Sequence, residues 1–84
     1  MKKLSLKDAI SVADLDCGEN GVGVSTAIER LDELGFDTSY YWDTMKDYWQ
    51  DPDEDDMNLK TRDELFRRLG ITEIMERAYA IVCD

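Results

Sequence analysis

Apolar positions in this chain recur three and four residues apart in separate short stretches, the pattern of amphipathic helices. Leu6, Ala9, Ile10 and Ala13 share one helical face, and Ser5 stands where an N-cap belongs, which predicts a helix over about residues 5–15. Gly18, Gly21 and Gly23 break that pattern as a flexible turn. Val24, Ala27, Ile28, Leu31 and Leu34 form the next stripe, with Gly35 at the place of a helix C-terminal glycine. The third stretch, residues 38–50, separates two faces. Tyr41, Trp42, Met45, Tyr48 and Trp49 fall within an arc of about 120° on a helical wheel, while Asp43, Asp47, Asp51 and Tyr40 fall opposite. The aromatic face reads as core.

Pro52 lacks an N–H and disfavours helix at the residue before it, so the third helix is expected to stop near Gln50 and Asp51–Asp56 to form a loop. Thr61 with Glu64 three residues later reads as a capping box that opens a fourth helix, filled by Leu65, Phe66 and Leu69 and closed by Gly70. Thr72 is placed to cap a last helix carrying Ile74, Met75, Ala78, Ile81 and Val82 on one face. Residues 79–83 concentrate aromatic and β-branched types, so a short C-terminal edge strand is the alternative there. The expected fold is all-α, a compact bundle of four to five short helices in a single acidic domain over residues 1–84.

Composition supports a globular chain and adds one feature, its charge. With 43% hydrophobic residues in 84, a small core is available. The net charge is −10, and it is unevenly spread. From Asp8 to Asp56 there are fifteen acidic side chains and only two basic ones, Arg30 and Lys46. After Asp56, five acids face five bases. Such a field draws basic partners and repels nucleic acid and anionic membrane. No stretch approaches the ~18 apolar residues of a membrane span, and the basic start is not followed by the apolar run of a signal peptide. Two cysteines near opposite ends, Cys17 and Cys83, could form one disulfide but make no dense disulfide framework, so free thiols and a cytoplasmic location are the expectation, with a single bridge as the alternative.

The chemistry on offer is sparse. There is no histidine, the commonest general base. Asp51, Asp53 and Asp55 have the alternate spacing of a calcium loop, but the sixth position holds Asp56 instead of Gly and the twelfth holds Arg62 instead of Glu. The glycines at 18, 21 and 23 fit no phosphate-loop spacing, and their neighbours Asp14, Asp16 and Glu19 repel anions. Cys17 has no base or cation in its sequence neighbourhood to activate a thiolate. No catalytic residue, cofactor or metal site is expected.

Val24-Ser25-Thr26-Ala27-Ile28-Glu29-Arg30-Leu31-Asp32-Glu33-Leu34-Gly35-Phe36 resembles the recognition helix of winged-helix DNA-binding proteins, where such a helix leads into a strand. The resemblance implies a helix-turn-helix-like regulator. It fails where DNA would be met, since the exposed positions are Glu29, Asp32 and Glu33 with Arg30 alone. In size, charge and lack of catalytic motifs the chain is also similar to the acidic anti-CRISPR and anti-restriction DNA mimics of phages and mobile elements. That similarity implies a non-enzymatic inhibitor whose partner is a basic protein surface in a nucleic-acid-binding complex. The residues expected to carry the contact are Glu29, Asp32, Glu33, Asp43, Asp47, Asp51, Asp53, Glu54, Asp55 and Asp56, with Tyr40 as an exposed aromatic anchor. A helical protein–protein module with merely solubilising acids is the other reading.

Overall fold

The computed structural model describes residues 3–83. Within them the chain forms five α-helices and no strand: α1 (Leu6–Cys17), α2 (Val24–Glu33), α3 (Ser39–Met45), α4 (Glu54–Leu69) and α5 (Thr72–Val82). α1 begins as its sequence dictates, with the Ser5 hydroxyl accepting from the Asp8 N–H at 3.1 Å. α4 ends at Gly70, whose φ of 71° is the left-handed conformation that a side chain resists.

The core is one cluster fed by every helix. α1 packs against α2 and, most extensively, α5; α4 packs against α3, α5 and α2. Val12, Ile28, Leu31, Tyr41, Met45, Leu65 and Met75 are its largest fully buried members. The radius of gyration, 12.0 Å, is the ~12 Å expected of a folded chain this long.

Several expectations need correction. The third helix does not run to Gln50; it ends at Met45, and residues 46–53 continue as successive turns, in which the Tyr48 N–H donates to the Met45 carbonyl, Asp51 to Tyr48 and Glu54 to Asp51. The fourth helix starts at Glu54 instead of Thr61. Glu54, Asp55 and Asp56 make up an acidic first turn, where the positive end of the helix dipole favours carboxylates, and Thr61 is buried in mid-helix. Residues 79–82 belong to α5, so there is no edge strand; Ile71 rather than Thr72 occupies the N-cap position, with no side-chain cap. After Gly35 the chain turns into α3 and not into the strand that the winged-helix resemblance implies.

The cysteines supply another correction. Cys17 and Cys83 form a disulfide, with Cα atoms 5.7 Å apart. Their separation of 66 residues hides the fact that α1 and α5 lie side by side, with their C-terminal ends together. Closing a loop of this length stabilises the fold by about 4 kcal/mol through the unfolded chain. Disulfides persist in oxidising surroundings. The pairing therefore removes the ground on which free thiols and a cytoplasmic location are expected. No helix among the described residues is long and apolar enough to cross a membrane.

Candidate partner-binding surface

The acidic stretch from Asp43 to Asp56 adjoins an aromatic cluster in sequence, with Trp49 within the stretch and Tyr41 and Trp42 directly before it. Tyr41 is fully buried, and its hydroxyl donates to Asn58 Oδ1 on α4, tying α3 to the helix that follows. Trp42 is half-buried, with Nε1 donating to Thr38 Oγ1 at 3.1 Å. The Tyr41 and Trp42 rings meet edge to face at 4.9 Å, and Trp49 lies 6.3 Å from Tyr41 and 6.4 Å from Trp42. Tyr41 and Met45 are core and Trp42 and Tyr48 pack against it, as the wheel indicates; Trp49 is the exception, 38% exposed at the edge.

On the outer side, Asp43, Asp47, Asp53, Asp55 and Asp56 are exposed, and Asp51 and Glu54 are half-buried. Asp51 also acts locally, since its Oδ1 accepts the Asp53 N–H at 2.8 Å and shapes the turn into α4. Lys46 is the one base between Asp43 and Asp56. Among the described residues, none of these seven acids forms an ion pair. Three of the four arginines after Asp56 are engaged elsewhere: Arg62 with Asp16 and Asp63, and Arg67 and Arg68 with Glu64. Asp51, Asp53 and Asp55 do not form a cation cage, and no group of three or more potential ligands converges among the described residues.

The other expected contact residues separate from this segment. Glu29, Asp32 and Glu33 are exposed on α2, and Glu33 is paired with Arg30 at 3.2 Å. Tyr40 is not the exposed anchor that its wheel position suggests. It is half-buried, with the Arg68 guanidinium 4.0 Å above its ring centre.

A second cluster escapes sequence reasoning. Asp16 Oδ2 accepts from the Tyr79 hydroxyl at 2.5 Å and from Arg62 Nη1 at 2.8 Å, with the Asp16 side chain only 6% exposed. The Arg62 guanidinium lies 4.9 Å from the Tyr79 ring centre. Burial, then the hydrogen bond to Asp16, pushes the Tyr79 phenol well above its ordinary range. The three residues come from α5, α4 and α1, and no spacing in the sequence links them. With its carboxylate paired and its phenol held neutral, the cluster is a fastening between helices. Beside it, Arg62, Phe66, Met75 and Tyr79 line a groove of about 390 Å³ between α4 and α5.

Comparison with known protein families, characterised proteins and solved structures finds no match to this chain.

Proposed function

We propose that this chain is a non-enzymatic binding protein whose acidic segment, Asp43–Asp56, occupies a Lys/Arg-rich surface built for nucleic acid. The observation that carries the reading is the segment's lack of internal neutralisation. Seven carboxylates stand against one lysine, and the nearest arginines that follow, Arg62, Arg67 and Arg68, are committed to other acids. A fold that merely needed solubility would gain from local pairing, whereas this one keeps the charge available. Carboxylates one helical turn apart are spaced about 5–6 Å, comparable with neighbouring phosphates along a duplex, and Asp53 and Asp56 stand three residues apart at the head of α4. An inhibitor that competes with DNA or RNA for its binding protein has these properties, and charge steering would speed its docking at low salt.

The test is capture from a host lysate on immobilised protein, with an Asp53→Lys/Asp55→Lys/Asp56→Lys variant alongside. Support consists of nucleic-acid-binding proteins held by the wild type, displaced by added duplex DNA, released at moderate salt and lost with the variant. Equal recovery on the variant, or recovery indifferent to added duplex, overturns the proposal and favours a module that binds by apolar burial.

A further inference from the structure

The α1–α5 interface is fastened twice at one end. Cys17, the last residue of α1, is bonded to Cys83, which follows α5 directly. One residue back on α1, Asp16 takes hydrogen bonds from Tyr79 and Arg62. Tyr79 stands one turn before Cys83, and the Cys83 N–H donates to the Tyr79 carbonyl at 2.8 Å. The two fastenings differ in access. Both cysteines are exposed, while the Asp16 carboxylate is buried under its partners.

Burial also changes abruptly along α5. Met75 and Ala78 are fully buried; Ala80 and Cys83 are exposed and Ile81 is 58% exposed. Beyond Tyr79, Val82 is the residue that packs against the core, so without the disulfide a single half-buried apolar side chain holds the last turn. We propose that Cys17–Cys83 is a redox latch: a dithiol in solution opens it without unfolding the protein and frees the last turn of α5, while the Asp16–Arg62–Tyr79 clamp keeps the reduced chain folded.

The step balances as ordinary thiol–disulfide exchange. One thiolate of the dithiol attacks a sulfur of the pair, and the other cysteine leaves as a thiolate and takes a proton. The second thiol of the reductant then displaces the mixed disulfide. The dithiol ends as a disulfide, and two electrons and two protons end on Cys17 and Cys83 as thiols. The latch rests closed. Both sulfurs lie at the carboxyl ends of helices, and Asp14, Asp16 and Glu19 flank Cys17, so a thiolate gains no support there. Reduction thus requires a reductant in excess. The latch is independent of the acidic segment's role.

The experiment treats the oxidised protein with dithiothreitol in native buffer. Alkylation followed by mass spectrometry counts thiols, circular dichroism reports helix, and amide hydrogen exchange reports local opening. The expected result is two alkylated thiols at a rate proportional to dithiol concentration, with the helical signal retained. Exchange at Ile81, Val82 and Cys83 rises at least tenfold, while Met75 and Ala78 stay protected. A reduction rate that levels off with dithiol concentration, loss of the helical signal, or unchanged exchange in the last turn overturns the latch. Cys17→Ser/Cys83→Ser should reproduce the reduced exchange pattern without reductant, and its failure to fold would also overturn the proposal. Asp16→Asn tests the clamp: reduced Asp16→Asn should lose helix at a temperature where the reduced wild type keeps it. Equal melting of the two reduced proteins would remove the clamp from the account.

Discussion

Asp16 and Tyr79 stand 63 positions apart, and the Tyr79 hydroxyl donates to Asp16 Oδ2 at 2.5 Å across the α1–α5 interface. Arg62 of α4 donates to the same oxygen, so three helices converge on one carboxylate. A carboxylate this deeply placed is tolerated because its charge is matched and hydrogen-bonded.

Asp16→Asn keeps the shape and removes the charge that matches Arg62. Arg62 retains Asp63 at 2.9 Å, which limits the damage. The expected loss is about 2 kcal/mol, below the usual cost of orphaning a buried ion. Tyr79→Phe should cost about 1.5–3 kcal/mol, the range for a hydrogen bond to a charged group. Urea unfolding of both variants and their double mutant checks this; strictly additive effects would mean that the two groups do not act together.

The buried phenols predict weakness in alkali. Burial raises Tyr41 to about 12, helped by the charges of Asp16 and Glu54, and Tyr79 is raised as well. The unfolded phenol titrates near 10. A folded value above the unfolded one means that this contribution is intact below pH ~10 and is lost as pH climbs through the folded value. Unfolding free energy measured from pH 8 to 11.5 should therefore stay level from this source and then fall, by up to about 1.4 kcal/mol per pH unit per phenol. The fall should be shallower in Tyr79→Phe. An identical slope in that variant would contradict the assignment.

Gly18 directly follows Cys17, and a Cβ there would run into the Asp14 carboxylate and stand 2.8 Å from the Asp14 Cα. The first contact can be relieved by turning the side chain, but the second is with backbone. Gly18→Ala should destabilise the fold by about 1–3 kcal/mol, the range for overpacked sites. A thermal melt within a degree of the wild type would show that the turn relaxes freely.

Much of the bundle is legible in the chain, for reasons that the failures clarify. The Val24–Leu34 stripe, the Ser5 cap and the two closing glycines are local signals, and each holds in the fold. The capping-box pattern at Thr61 misleads because residues inside a longer helix can carry the same spacing; what marks the true start is the acidic first turn at Glu54. The run Asp51–Asp56 reads as loop because aspartates and a proline are poor helix formers in isolation, yet helix N-termini favour acids. Availability of the acidic segment follows from its local scarcity of bases. The meetings of Cys17 with Cys83 and of Asp16 with Tyr79 and Arg62 depend on tertiary packing, and nothing local announces them.

The acidic segment should also be visible in the salt dependence of stability. Glu54, Asp55 and Asp56 gain from the α4 dipole, by about 0.3–1 kcal/mol each. Asp53 precedes the helix at the N-cap position but makes no side-chain cap bond, so its charge mainly repels its neighbours, including Asp56 three residues on. Asparagine is at least as good in that position. Asp53→Asn should therefore stabilise the protein at 20 mM salt by about 0.3–0.5 kcal/mol, the size of one relieved like-charge pair. Raising sodium chloride to 0.5 M shrinks the screening length well below 10 Å. The wild type, with its net charge of −10, should then melt higher, and the advantage of Asp53→Asn should vanish. Melting curves of both proteins at the two salt concentrations decide the matter. A wild-type melting temperature that falls with salt, or an Asp53→Asn benefit that persists at 0.5 M, would mean that the carboxylates are held by attraction within the fold, and the charge assigned to partner binding would not be free.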